Sequence, residues 1–304
     1  MGLTLGEASL SPAISNATVA LGNNNIPVSG GIFHVGGTVD LSQDTARYRL
    51  PGDVVLMDKL QVNEKFGKIF LSRINPIFSQ VASLEGTVSL KTKDLDIPFG
   101  KEIQKSGSGS GRLDISNMKL KPTGTLGRLL EFGGLATGDK HGVKFSGVDF
   151  KLENGKITYE NFTMTFPGGF DLIFRGVVGF DDSLDLVVSI PIRAGLFKKL
   201  GVAGPVQQYA QVLTGDDSRI DVPILGTRLA PKIGDIDIKP IVDKAAKALL
   251  KKQGGGLLNK VLQGEKKPDE TKPEKKKSDK RKPSALDLLK AVTDIQKEMD
   301  KKDN

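Results

Sequence analysis

The most regular hydrophobic pattern in the chain lies between His141 and Arg193. Apolar side chains occupy every second position in successive runs, which predicts β-strands with one apolar face and one polar face. The predicted hairpin turns between the runs are Asn154–Gly155, Pro167–Gly169 and Asp181–Ser183. The alternation slips by one residue near Gly147 and near Asn161, where we expect β-bulges. The segment therefore predicts a curved antiparallel meander of four long strands.

Further alternating runs predict strands on both sides of this meander. They are Gly37–Leu41, Tyr48–Leu50, Leu84–Leu90, Gly111–Met118 and Arg219–Gly226. Pro223 favours an edge or terminal position for the last of these, because proline has no N–H to offer a ladder. Helical spacing of apolar residues predicts short helices over 63–74, 123–132 and 205–213. Strands with few short helices, and without β-α-β alternation, predict a mostly β fold and disfavour α/β enzyme folds.

The character of the sequence changes after residue 238. Residues 1–60 are expected to form N-terminal strands that continue the sheet, and residues 61–238 form the main β region. Residues 239–264 predict an amphipathic helical segment, and residues 265–283 a disordered Lys-rich linker. A final amphipathic helix is expected over 284–304, where Ser284 and Asp287 have the spacing of a capping box.

The net charge of +8 is confined to the C-terminal part of the chain. Residues 239–304 hold 19 Lys and Arg against 11 Asp and Glu, so residues 1–238 are neutral overall. A body that binds nucleic acid normally carries its own basic face, so this distribution argues against nucleic acid as a partner. The densest basic patch contains Lys275, Lys276, Lys277, Lys280, Arg281 and Lys282. This patch is either a solvated disordered run or a segment attracted to anionic lipid headgroups.

Candidate catalytic chemistry is sparse. The chain has no Cys, which excludes a thiol nucleophile and sites built on Cys ligands, and its two histidines are isolated from each other. The Gly-rich run Gly107–Gly111 lacks the Gly-Lys-Ser/Thr of a phosphate loop and precedes a strand, so it is interpreted as a strand entry. The paired aspartates at 181 and 182 lack calcium-loop spacing and fit a turn. We therefore expect no enzyme activity, no metal and no cofactor.

The apolar face of the meander is the remaining candidate for function. Either short helices and other strands cover it as an ordinary core, or part of it stays open as a groove suited to acyl chains. The residues expected to bind acyl chains in an open groove share this alternation. They are Phe145, Phe150, Ile157, Tyr159, Phe162, Met164, Leu172, Phe174, Leu186 and Val188.

The order of several blocks resembles the C-terminal region of AsmA-like proteins, a bacterial envelope family with TamB- and YhdP-type relatives. The blocks follow one another over about residues 60–240. They are Ile74–Phe78, Ser83–Leu90, Asp96–Phe99, Gly109–Ile115, Leu126–Leu130, Val143–Ile157, Phe170–Gly176, Leu184–Leu186 and Val222–Pro231. The Lys-rich tail is longer than the family pattern requires, and the family's N-terminal anchor has no counterpart in this sequence.

The resemblance implies a repeating β-groove fold on the periplasmic side of the bacterial inner membrane. It also implies binding or transfer of phospholipid acyl chains, and a contribution to outer-membrane homeostasis. A structural or scaffolding envelope protein, with a fully covered sheet and no lipid cargo, is the alternative. The two differ in whether the apolar face is open.

Overall fold

The computed structural model describes residues 2–193 and 218–237. Its contacts group the chain into a body, residues 1–191 and 221–236, and a second unit, residues 192–220 and 237–304. The second unit is described only at residues 192, 193, 218–220 and 237, where the Ile192 N–H donates to the Ser218 carbonyl over 2.8 Å. The helices expected over 205–213 and 284–304, the segments 239–264 and 265–283, and the basic patch lie outside the described residues.

The fold is mostly β, as the alternation predicts. Fifteen strands form one large antiparallel sheet in the described part of the chain. They are β1 Ala13–Ser15, β2 Thr18–Ala20, β3 Asn24–Val28, β4 Gly31–Val35, β5 Thr38–Asp40, β6 Arg47–Asn63, β7 Val81–Pro98, β8 Ser108–Pro122, β9 His141–Phe145, β10 Val148–Glu153, β11 Lys156–Phe166, β12 Phe170–Gly179, β13 Leu184–Pro191, β14 Arg219–Thr227 and β15 Ala230–Ile233.

The strand order is β1-β2-β5-β6-β7-β8-β10-β11-β12-β13-β14-β15. β4 pairs with β6 and with β3, and β9 pairs with both β8 and β11. β6 runs continuously through residue 60 and pairs with β7 as far as Asn63, so residues 1–60 belong to the same sheet as the strands that follow. Most neighbours in the sheet are also neighbours in sequence, which makes the fold an extended meander.

The turns and irregularities of the meander lie where the sequence places them. Asn154 and Gly155 both have positive φ, of 52° and 71°, as a two-residue hairpin turn of the primed type requires. The pairing of β11 with β12 shifts between Tyr159 and Phe162, which is the expected bulge. The slip near Gly147 is larger than expected, because the chain breaks there into two strands, β9 and β10.

The edge position predicted from Pro223 is wrong for the strand that contains it. β14 lies between β13 and β15. β15 is only four residues long, and its ladder with β14 ends at the pair Ile224 and Ile233. Pro223 lies one residue beyond that pair, where its carbonyl accepts the Gly234 N–H over 2.8 Å. The short partner strand therefore accommodates the proline without the loss of a ladder hydrogen bond.

Two helical segments follow the predicted spacings. The first, residues 64–79, joins α1 (Glu64–Phe66), a π-helical turn (Gly67–Leu71), α2 (Ser72–Ile74) and a 3₁₀ turn (Pro76–Ser79). Asn63 caps its start, since the side-chain oxygen accepts the Phe66 N–H over 3.0 Å. The second segment is α3 (Gly124–Phe132), and a further 3₁₀ turn spans Gly100–Gln104.

These helical segments pack on the sheet face that carries the buried side chains, here called the buried face. Phe66, Leu71, Ile77 and Phe78 of the first segment are at most 1% exposed, as are Leu126, Leu129 and Leu130 of α3. Full burial of such a side chain contributes about 1.5–3 kcal/mol to folding. The buried face of the meander is therefore closed by the helices that precede it in sequence.

Three hydrogen bonds tie the β14–β15 hairpin to the helical segments. Arg228 Nη1 donates to Ser72 Oγ over 2.7 Å, and Thr125 Oγ1 donates to the Pro231 carbonyl over 2.5 Å. A longer contact of 3.4 Å joins Gln80 Nε2 to the Leu229 carbonyl. The hairpin thus helps to hold both helical segments in place.

Candidate functional site

An aromatic cluster lies where the first helical segment meets the meander. The cluster consists of Phe78, Phe145, Tyr159, Phe162 and Phe174. The ring of Phe162 lies 5.7–6.2 Å from each of the other four ring centres, within the usual range for interacting aromatic pairs. Phe162 is fully buried. Phe162, a residue of the predicted groove, is therefore the central ring of a buried aromatic cluster.

The register of the meander brings nine of the ten predicted acyl-binding residues into adjacent cross-strand rows. One row joins Phe145, Met164 and Leu172, and the next joins Phe162, Phe174 and Val188. A third row places Tyr159 and Leu186 on either side of Gly176. Ile157 pairs with Val178 at the end of the same face. Phe150 lies apart from these rows, on β10.

Most of these residues are sealed from solvent. Ile157, Tyr159, Phe162, Met164, Leu172, Phe174, Leu186 and Val188 are at most 6% exposed, whereas Phe145 and Phe150 are half-buried. A groove that accepted an acyl chain at the sealed positions would require displacement of the helical cover. Over β11–β13, the structure corresponds to a covered sheet.

Gly176 shows why the Tyr159 row packs closely. Its φ of +123° lies outside the range that L side chains adopt readily. A Cβ at this position would lie 2.1 Å from the Asp185 carbonyl oxygen. The missing side chain therefore lets β12 and β13 approach closely beside Tyr159.

The Tyr159 hydroxyl is an unusual feature of this core. Within the described residues, the hydroxyl oxygen is buried and has no hydrogen-bond partner. Burial raises the pKa of the phenol well above its ordinary value, because the charged form would be poorly solvated. Such a group lowers stability relative to phenylalanine, because it has lost its water and gained no partner.

Phe150 belongs to a different row of the buried face, here called the Phe150 row. The row crosses four adjacent strands through Val54 on β6, Thr92 on β7, Gly111 on β8 and Phe150 on β10. A Cβ built on Gly111 would lie 2.7 Å from Phe150 Cζ, so the ring lies across the glycine. Val54 and Phe150 are half-buried, at the two ends of the row.

The Phe150 row lines a surface depression of about 480 Å³. This volume lies within the usual range of about 300–1,000 Å³ for pockets that hold small molecules. The residues that alternate with this row along the strands, among them Lys91, Lys93 and Arg112, also line it. The neighbouring row of Met57, Leu90, Leu113 and Val148 is buried, so the depression lies beside a packed row. An apolar floor of this kind can hold the hydrocarbon part of a ligand.

Sequence reasoning selects Phe150 but misses the three other members of its row. Val54 lies in a strand whose alternation is interrupted by register shifts on both sides. Gly111 ends the Gly-rich run, and β8 begins at Ser108 within that run, as a strand entry requires. A glycine in a strand interior often marks the close approach of another group, and that signal identifies the position where the Phe150 ring lies.

Two larger depressions have mixed polar and apolar surroundings. One, of about 670 Å³, is lined by residues that include Asn24, His34 and Val54, and the other, of about 980 Å³, by residues that include Glu85, Lys119 and Phe145. His34 Nδ1 lies 2.6 Å from Asn25 Oδ1, and His141 Nε2 lies 2.6 Å from the Ala136 carbonyl. Within residues 2–193 and 218–237, no three Asp, Glu or His side chains converge as metal ligands would.

The paired aspartates of the β12–β13 turn have structural partners. Asp181 Oδ1 accepts hydrogen bonds from the backbone and the hydroxyl of Ser183, which is the turn chemistry expected of this position. These hydrogen bonds hold the pKa of Asp181 below its ordinary value. Asp182 instead pairs with Arg228, at 2.6 Å from Oδ1 to Nε.

Each helix in the described ranges falls short of the length and apolar character that a bilayer crossing requires. Comparisons with protein-family models, curated proteins and solved structures gave no match to this chain. The resemblance to AsmA-like proteins consequently rests on the order of the sequence blocks alone.

Proposed function

We propose that this chain is a non-enzymatic segment of a bacterial envelope protein that binds the acyl chains of phospholipid. The observation that carries the proposal is the depression over the Phe150 row. It leaves apolar side chains partly exposed beside a row that is buried. Lipid transfer on the periplasmic side of the inner membrane, in support of the outer membrane, is the role that the AsmA-like resemblance favours.

The depression suits an acyl chain for physical reasons. Val54, Gly111 and Phe150 offer hydrocarbon surface, and each buried CH₂ group contributes about 0.8 kcal/mol. Binding at this place requires no movement of the helical cover over the aromatic cluster. The acyl-binding residues proposed are therefore those of the Phe150 row, with Phe145 as the other half-buried member of the predicted set.

Native mass spectrometry of the full chain, purified from a bacterial host, tests the proposal, with solvent extraction and identification of any lipid. We expect co-purified phospholipid in the unmodified chain and its loss in Phe150→Asp and in Val54→Asp. Phe99→Asp provides the matched control, because Phe99 is 50% exposed and lies outside the row. Thermal melting must remain cooperative in all three variants. A lipid-free mass for the folded, unmodified chain contradicts the proposal.

The second candidate function is that of a structural or scaffolding envelope protein. The specific observation that favours it is the seal over eight of the ten predicted groove residues. On this hypothesis the same purification yields no lipid, and Phe150→Asp changes only stability. The mass spectrum of the unmodified chain therefore separates the two candidates.

A further inference from the structure

Three segments that are distant in sequence meet beside α2. Arg73 lies on α2, Phe180 and Asp182 at the β12–β13 turn, and Arg228 in the β14–β15 turn. Arg228 is 7% exposed, and its guanidinium donates to Asp182 Oδ1 and to Ser72 Oγ over 2.6 and 2.7 Å. Ser72, itself fully buried, donates to the Lys68 carbonyl over 2.5 Å. Arg228 is thus held in one orientation by groups that are themselves fixed.

Arg73 completes the group. Arg73 and Arg228 are here called the arginine pair. The Arg73 guanidinium lies over the Phe180 ring, with 5.6 Å from Cζ to the ring centre. Partial burial lowers the pKa of Arg73, and the positive charge of Arg228 lowers it further, whereas Asp182 opposes the shift. Within the described residues, no carboxylate lies within salt-bridge distance of Arg73.

The charges of this group do not balance. Asp182 pairs with Arg228 alone, and Asp181 is bonded to Ser183, so the Arg73 guanidinium has no carboxylate of its own in the described residues. Both arginines contact the β12–β13 turn, and Arg228 bonds the residue next to Arg73, so their positive charges repel each other and an anion that contacts both relieves the repulsion. The Phe180 ring and the Ser72 hydroxyl fix the geometry from both sides, as a preformed site requires.

We propose that the arginine pair binds a phosphate group. Guanidinium matches the oxygens of phosphate with paired, charge-assisted hydrogen bonds, which favours phosphate over a spherical anion such as chloride. The site lies on α2 and two turns, whereas the Phe150 row lies on β6, β7, β8 and β10, so the inference is independent of acyl binding. A free phosphate ester and a phospholipid headgroup share this chemistry.

Titration of the full chain at constant ionic strength tests the site, with sn-glycerol 3-phosphate as the soluble probe and nuclear magnetic resonance of arginine Nε–H groups as the readout. We expect saturable shifts of Arg73 and Arg228, and affinity at least about tenfold weaker in Arg73→Gln. Arg73→Lys keeps the charge but loses the paired geometry, and an intermediate affinity is expected. Arg175→Gln is the matched control, since Arg175 already has a partner in Asp221.

Flotation with phosphatidylcholine vesicles, with and without phosphatidic acid, identifies the source of the phosphate. Flotation that depends on phosphatidic acid and on Arg73 identifies a headgroup site, whereas glycerol phosphate binding without flotation identifies a soluble ester. Either result supports the inference. Absence of saturable shifts, or equal affinity in Arg73→Gln and the unmodified chain, overturns it. Lipid bound at the Phe150 row does not alter the effect of Arg73→Gln on phosphate binding, because Arg73 lies outside the row.

Discussion

The buried face of the sheet is packed differently over β11–β13 and over the Phe150 row. Over β11–β13, large aromatic side chains meet a helical cover, and Phe162 alone contacts four other rings. In the Phe150 row, small residues such as Thr92 and Gly111 occupy the centre, and Phe150 at the end is half-buried. The same period-two alternation produces both regions. What separates a core from an opening is the size of the cross-strand partners and the presence of a cover.

The largest expected effect comes from truncation of the two phenylalanines. Phe162→Ala should lower the free energy of unfolding by about 3–5 kcal/mol, because it leaves a cavity among four rings. Phe150→Ala should lower it by about 1 kcal/mol, since part of the ring is already in contact with water. Urea denaturation followed by circular dichroism measures both. Equal losses would show that the two regions are packed alike.

A smaller difference is expected between two ion pairs. Arg228→Gln should cost about 2 kcal/mol, because it leaves Asp182 and Ser72 without their donor in a mostly buried place. The half-exposed Asp182 carboxylate limits the loss. Arg175→Gln removes an exposed cross-strand pair with Asp221 and should cost less than about 0.5 kcal/mol. Differential scanning calorimetry would contradict this order if Arg175→Gln had the larger effect.

The smallest expected effect concerns two tyrosine hydroxyls. Tyr159→Phe should leave stability at neutral pH unchanged or slightly higher, because the hydroxyl has no partner among the described residues. Tyr48→Phe should cost about 1 kcal/mol, since the Tyr48 hydroxyl donates to the Gly36 carbonyl over 2.9 Å. Urea titrations at pH 7 measure both changes. A clear loss in Tyr159→Phe would show that its hydroxyl has a partner.

Tyr159 and Tyr48 also predict that the stability of the protein falls at alkaline pH, and that Tyr159→Phe reduces this loss. Burial raises the pKa of both phenols, so the native state keeps protons that the unfolded state loses near pH 10. The unfolded state then binds fewer protons, and stability falls as the pH rises above 10. The loss between pH 10 and 11 should be roughly 1 kcal/mol for Tyr159. It should disappear in Tyr159→Phe, and stability curves at these two pH values measure it.

The sequence predicted the meander correctly because its turns and bulges depend on residues that are close together in the chain. Asn154 and Gly155 specify their turn, and the slip at Asn161 specifies its bulge. Pro223 misled because its position depends on the length of β15, which lies across a turn. Burial of Phe162 was equally hidden, since Phe78 comes from a segment more than 80 residues earlier. The Phe150 row and the arginine pair likewise assemble from distant segments, which alternation does not encode.

The hydrogen bonds of the β14–β15 hairpin set an order of events during synthesis. Ser72 and Arg228 are separated by 156 positions, and Thr125 and Pro231 by 106. The helices that close the aromatic cluster leave the ribosome long before the hairpin that fastens them. Contacts over such distances form slowly, because a long loop must close first. A nascent chain therefore carries an unfastened cover over the aromatic cluster until nearly the whole body has been made, and during this interval that apolar surface is least protected from water.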